Sequence, residues 1–108
     1  MFEKIKRMIA LVPYGKVATY GQIAQLAGFP GAARQVAWAL HNSSGLPWHR
    51  IVGAGGKISL PGESGFEQRM RLQGEGVAFH GLRVDMKNFA WTPGGKVKKK
   101  GTKTKRRP

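Results

Sequence analysis

Thr19-Tyr20-Gly21-Gln22-Ile23-Ala24-Gln25-Leu26-Ala27-Gly28-Phe29-Pro30-Gly31-Ala32-Ala33-Arg34-Gln35-Val36-Ala37-Trp38-Ala39-Leu40 is the stretch on which the reading of the fold turns. Its first four residues form a capping-box pattern: the Thr19 oxygen meets the amide three residues on, and the Gln22 side chain reaches back. The helix opened there runs through Ile23, Ala24, Leu26 and Ala27 and is predicted to end at Gly28. Phe29-Pro30-Gly31 supplies a turn. Ala32, Ala33, Val36, Ala37 and Leu40 mark a second helix, closed by the loop Asn42-Ser43-Ser44-Gly45. Two short helices joined by a tight glycine-containing turn read as a helix-turn-helix, a pattern that many helical hairpins share.

Upstream, Phe2, Ile5, Ile9 and Val12 recur at helical spacing, with Lys4, Lys6 and Arg7 off that stripe. Residues 2 to 11 are therefore predicted to form an amphipathic helix, stopped by Pro13-Tyr14-Gly15-Lys16. Downstream, Leu46-Pro47-Trp48-His49-Arg50 leads into Ile51-Val52-Gly53. Pro47 fixes its own φ and pushes its predecessor towards extended structure, so Trp48 is predicted at a loop-to-strand junction. Arg50 to Val52 reads as a buried strand. A glycine turn at Gly53 to Gly56 and the segment Lys57-Ile58-Ser59-Leu60 make the unit hairpin-like, a candidate wing beside the helix pair. Ser64-Gly65-Phe66-Glu67 is a second capping box, opening a polar helix from about Gly65 to Gly74. Val77 to Met86 has room for one or two short strands.

Composition narrows the function. A chain of 108 residues is one domain, and the absence of cysteine excludes disulfides and thiolate metal sites. His41, His49 and His80 lack metal-ligand spacing and carboxylate company, so no metal site and no cofactor are expected. No apolar run approaches membrane-spanning length and no signal-peptide pattern opens the chain, which points to the cytoplasm. Nineteen Lys and Arg against five Asp and Glu give a net charge of +14. Eight of those cations lie beyond Pro93, at Lys96, Lys98, Lys99, Lys100, Lys103, Lys105, Arg106 and Arg107, which leaves the body at +6. A basic body with three tryptophans favours nucleic acid over a membrane surface. From Gly94 onward almost nothing is apolar, so residues 94–108 are predicted to be a disordered basic arm on a 1–93 domain.

A bulky ring, an imidazole and a guanidinium within one turn suit a pocket for something flat and polar, although from these residues alone Trp48 reads more readily as a core anchor and Arg50 as a surface charge. Pro47-Trp48-His49-Arg50-Ile51-Val52 resembles the active-site motif of the O6-alkylguanine-DNA alkyltransferases, Pro-Cys-His-Arg followed by two β-branched residues. Trp48 stands in the cysteine position, which is the mark of the alkyltransferase-like proteins. The resemblance runs from about Phe2 to Pro93. It implies an α+β, mainly helical, winged helix-turn-helix-like single domain with a small hairpin. It also implies that no alkyl group is transferred, because the enzyme's nucleophile is a cysteine thiolate. An indole cannot serve instead: its lone pair is delocalised and its N–H only donates.

The same resemblance assigns the remaining residues. His49 and Glu75 match the pair that activates the cysteine in the enzyme, and here they are expected to persist as a hydrogen-bonded structural pair, with Arg50 anchoring the loop. Tyr20 and Arg34 match the tyrosine that crowds the phosphate beside the target and the arginine that fills the vacated space. Ala33, Gln35, Trp48 and Arg50 complete the expected DNA-binding set. Tyr20, Trp48, Ile51, Val52, Ser59, Leu60 and Pro61 are expected to line the lesion pocket. Trp38 reads as packing and Trp91, in Trp91-Thr92-Pro93, as a core clamp. Pro61 is a departure: some relatives carry a basic residue there, which leaves the range of lesions open.

The implied partner is duplex DNA containing O6-alkylguanine, gripped through the minor groove by a monomer of nucleoid-associated, cytoplasmic location. Nucleotide excision repair proteins follow as downstream partners. A rival is an architectural minor-groove binder without lesion preference, whose affinity comes from charge. A hydrolase built on His49 and Glu75 is the weaker rival, since neither metal ligands nor a serine nucleophile accompany them.

Overall fold

The apolar spacing of the first eleven residues does produce a helix, α1 (Phe2–Leu11), with Ile5 and Ile9 fully buried. A computed structural model describes residues 1–93; the basic arm at 94–108 lies outside the described residues. After α1 come β1 (Ala18–Thr19), α2 (Tyr20–Leu26) and α3 (Ala33–His41). A 3₁₀ turn at Trp48–Arg50 then leads directly into β2 (Ile51–Val52), and a second 3₁₀ turn occupies Ala54–Gly56. The chain continues through α4 (Gly62–Gly74), β3 (Phe79–His80), β4 (Arg83–Val84) and the short α5 (Met86–Phe89).

The helix pair forms as its sequence dictates, with one detail reassigned. The Thr19 hydroxyl caps α2 by accepting from the Gln22 amide at 3.0 Å. The Gln22 side chain does not reach back to complete the box. Its Nε2 donates to the Trp91 carbonyl at 2.8 Å and so ties the end of the described chain to the helix pair. The α2–α3 turn is a Schellman motif: the Gly28 amide donates to Gln25 O at 3.0 Å and the Phe29 amide to Ala24 O at 2.9 Å. Gly28 holds a φ of 93°, the left-handed conformation that this cap requires.

Three expectations need correction. Residues 50 to 60 do not form a hairpin. β2 pairs in parallel with β1, in the register Ala18↔Ile51 and Thr19↔Val52, because both β2 side chains are fully buried and need cover on two faces. Lys57 instead bridges to Arg83, and the hairpin of the fold is β3–β4, in the register Phe79↔Val84 and His80↔Arg83. Arg50 sits in a 3₁₀ turn rather than at the start of a strand, its amide bonded to Pro47 O at 3.0 Å, while Trp48, at the head of that turn, does stand at the junction with β2. Finally, Ser64 is not a cap: α4 begins at Gly62, behind Pro61, and no side chain caps it.

Two buried clusters hold these pieces. Ile5, Ile9, Val12, Ile23, Val36, Ala39 and Ile51 join α1, α2 and α3 to β2, and Trp91 packs against them from beyond α5. Val17, Val52, Leu72, Val77 and Val84 form the second, between the strands and α4. Each fully buried aliphatic side chain is worth about 1.5–3 kcal/mol, so β2, with one residue in each cluster, is the seam of the molecule.

Candidate nucleic-acid interface

The 3₁₀ turn that carries Trp48 is clamped from two sides. On one side lies Glu75, at the C-terminal cap of α4. Its Oε2 is 2.7 Å from His49 Nε2 and 2.8 Å from the Arg50 Nη2 donor. Its Oε1 accepts from Arg50 Nε at 3.0 Å and from the Gly15 amide at 2.8 Å. Arg50 is also tied to the end of α1, because its Nη1 donates to Val12 O at 3.0 Å. On the other side lies Gln68 of α4, only 1% exposed, whose Nε2 donates to His49 O at 3.2 Å and Ile51 O at 2.8 Å. No sequence signal singled out Gln68. Its place in a polar-looking helix hid the fact that this face is buried.

Electrostatics fix the ionisation of this centre. Burial, the largest single influence, pushes the Glu75 carboxyl up. The hydrogen bonds from Arg50, the Gly15 amide and His49 together outweigh it and lower the pKa from 4.5 to about 2. Glu75 is therefore a carboxylate at neutral pH, which can only accept, so His49 Nε2 carries the proton between them.

Held this way, Trp48 borders an open groove of about 480 Å³. Tyr20, Ala37, Leu40, His41, Leu60 and Ser64 form the rest of its wall. The indole meets the His49 ring edge-on, with centroids 6.1 Å apart at 84°, and the Arg71 guanidinium lies 5.6 Å from its own centroid. Arg71 is in turn paired with Glu67 at 2.7 Å. A half-buried tryptophan and a half-buried tyrosine facing one apolar, open space form a site for a flat ring.

Of the expected pocket residues, Tyr20, Trp48 and Leu60 do line the groove. Ile51 and Val52 do not: both are 0% exposed, their side chains consumed by the two cores. Ser59 and Pro61 are exposed on either side of Leu60 but are not part of the wall. Arg50 lies outside the groove wall, and its Nε, Nη1 and Nη2 each donate one hydrogen to Glu75 or Val12 O. Arg34 is exposed at the start of α3 and lines a separate hollow of about 220 Å³ with Phe2, Gln35 and Trp38. Ala33 beside it is half-buried. Trp38 does pack, its ring 4.8 Å from that of Phe2, yet 55% of it stays open. Four wall residues were missed: Ala37, Leu40, His41 and Ser64. Ala37 and His41 are four apart on α3 and so share a face, which is the signal that would have found them.

A family profile described as "6-O-methylguanine DNA methyltransferase, DNA binding domain" matches residues 1–77. The chain belongs to this family, in its alkyltransferase-like branch. A "DNA base-flipping protein" of Vibrio parahaemolyticus is 40% identical over 94 residues, covering 83% of this chain and 94% of that protein. "Alkyltransferase-like protein 1" of Schizosaccharomyces pombe is 37% identical over 102 residues, covering 85% and 94%. The crystal structure of S. pombe Atl1 in complex with damaged DNA containing O6-carboxymethylguanine superposes with a TM-score of 0.73 at 35% identity, over 85% of this chain and 94% of that one.

In this alkyltransferase-like chain the position beside the His49–Glu75 pair is an indole, and the whole sequence contains no cysteine. A proton relay with no nucleophile at its end performs no alkyl transfer. What the arrangement does is hold the Trp48 turn rigidly at the mouth of a groove. No helix among the described residues is long and apolar enough to cross a membrane. No cluster of three or more metal-ligating side chains occurs among the described residues.

Proposed function

We propose that this protein is a non-enzymatic DNA-damage sensor: it binds duplex DNA containing O6-alkylguanine, extrudes the modified base and holds it without removing the alkyl group. The observation that carries this reading is the open groove of about 480 Å³ between Tyr20 and Trp48, in a chain with no cysteine nucleophile. Extrusion costs a few kcal/mol of stacking and pairing. Contact with an aromatic ring returns about 1–3 kcal/mol per base, so the groove can offset extrusion without chemistry. An apolar wall also tolerates alkyl groups of different size.

Tyr20, at the first residue of α2, takes the role of pressing on the phosphate beside the extruded nucleotide. Arg34, exposed near the start of α3, enters the space that the base leaves, with Ala33 and Gln35 against the minor groove around it. Its present hollow with Phe2 and Trp38 is separate from the groove, which suits a side chain acting on the duplex rather than on the captured base. Ser59 and Pro61 flank the groove at Leu60. Arg50 contributes indirectly, by holding the turn.

The outcome of this binding is a marked site handed to nucleotide excision repair, by a protein acting as a monomer in the cytoplasm, on the nucleoid. The domain ends near Pro93, and the eight cations beyond it act as a non-specific tether to phosphates. The deciding experiment is a competition between matched duplexes with and without one O6-methylguanine, at physiological salt. Preference for the modified duplex is expected; equal affinity would make the protein a charge-driven architectural binder instead.

A further inference from the structure

Leu60 borders not only the groove at Trp48 but also a second hollow, of about 260 Å³, whose other side-chain walls are Ile58, Phe66, Arg69 and Leu82. This hollow is rimmed by side chains that a folded domain ordinarily covers. Leu82 is 82% exposed, Phe66 67% and Met70 53%. Phe66 and Met70 are four residues apart on α4 and so share one face. Single exposed apolar residues need no explanation, but Phe66 and Leu82 on the wall of one concavity, with Met70 next to Phe66 on the same helix face, mark an interaction site.

The hollow is also built rather than incidental. The Arg69 guanidinium lies 4.3 Å from the Phe79 ring centroid, and its Nη1 donates to Gly81 O at 3.0 Å. These contacts fasten α4 to the tip of the β3–β4 hairpin, next to Leu82. Gly65 is buried where the Leu60 carbonyl occupies the space that a Cβ would need, so the floor admits no side chain. The site is thus held in shape before anything binds, which lowers the ordering cost of association.

Charge selects the occupant. Arg69 forms one wall, and Lys57 and Arg83, paired across an isolated bridge, are both exposed beside the hairpin. On α4 itself, Glu67 is neutralised by Arg71 at 2.7 Å, leaving Glu63 as the exposed acid. DNA phosphates gain nothing from a wall of leucine, isoleucine and phenylalanine. A second copy of this chain brings the same +14 and is repelled. We propose that this hollow docks an acidic, amphipathic segment of a protein partner, with an aliphatic or aromatic side chain as its anchor. In supplying a surface for the repair hand-off, the proposal rests on the sensor reading given above.

The test uses the full chain and a fluorescein-labelled synthetic helical peptide, with Leu and Phe on one face and Glu on the other, followed by anisotropy at physiological salt. Phe66→Ser combined with Leu82→Ser is expected to weaken peptide binding about tenfold or more, while affinity for an unmodified duplex stays within about twofold. Leu11→Ser, an exposed position on α1, is the control and should change neither. The proposal is overturned if the wild type fails to bind the peptide at about 1 mM, or if a peptide with Ser on its apolar face binds equally well. It is also overturned if the double variant loses duplex affinity by the same factor, or if sedimentation shows a dimer that the double variant dissolves. A wild type that binds the peptide but does not prefer O6-methylguanine would sink the sensor reading and leave the docking site standing.

Discussion

Glu75 Oε2 and His49 Nε2 are 2.7 Å apart, and the same carboxylate holds Arg50 and the Gly15 amide. One side chain therefore joins the end of α4, the turn after α1 and the turn that presents Trp48. The pair that the resemblance equates with the enzymes' cysteine-activating histidine and glutamate is here part of the scaffold.

Removing Glu75 should accordingly damage the fold rather than a reaction. Glu75→Ala leaves a largely buried guanidinium and an amide unpaired, at a cost of roughly 3–5 kcal/mol. Urea unfolding of the variant measures this, and a loss below 1 kcal/mol would mean that solvent replaces the network easily. A double-mutant cycle with His49→Ala should return a coupling of more than about 0.5 kcal/mol.

The pH dependence has a definite sign. The Glu75 pKa is depressed, from 4.5 to about 2. Its contribution is then fully present above about 4.5 and is lost as pH falls towards 2, where both the folded and unfolded chains become protonated. The contribution amounts to roughly 3 kcal/mol. Denaturant titrations of wild type and Glu75→Gln should differ most above pH 4.5 and converge near pH 2. A difference that grew as the pH fell would contradict the assignment.

Intact-mass spectrometry provides the chemical test. After incubation with a duplex containing O6-methylguanine, the protein mass should be unchanged and the lesion should remain in the DNA. A gain of one methyl group, at Trp48, His49 or anywhere else, would make the protein an enzyme.

Trp48→Ala should reduce affinity for a lesion duplex by about 1–3 kcal/mol while leaving an unmodified duplex nearly unaffected, because only an extruded base reaches the ring. Arg34→Ala and Tyr20→Ala should show the same bias in the same competition assay. Changing a lysine that meets only phosphates should lower both affinities alike and flatten the salt slope by about 1.

Gly28 provides a control remote from the groove. Its φ of 93° has open space around a hypothetical Cβ, so Gly28→Ala tests conformation alone and should cost about 1–2 kcal/mol in thermal or urea unfolding.

The helical half of the fold was legible because its signals are local: apolar spacing in α1, the Thr19 cap, the glycine at the end of α2. The strands were not, since Ile51 and Val52 read equally well as half of a hairpin or as a buried parallel pair. Only the position of β1, more than thirty residues earlier in the chain, decides between them. Trp48 is legible in the motif and Tyr20 through the wider resemblance, and the groove brings them together. Ile51 and Val52 follow Trp48 in the same motif, yet adjacency in sequence does not make them its neighbours at the surface, because those two point into opposite cores. Ser64 shows the converse error: a capping pattern was present, but Pro61 had already started the helix two residues before it.

The parallel pairing of β1 with β2 also has a bearing on the order of assembly. A hairpin can close as soon as its two strands emerge, but this pair closes a loop that contains α2, α3 and the turn between them. The Glu75 clamp spans further still, reaching back 60 residues to Gly15. A nascent chain that has delivered the helix pair but not α4 therefore has no fixed Trp48 turn. On the sensor reading, the capacity to hold an extruded base arises only with the last third of the domain.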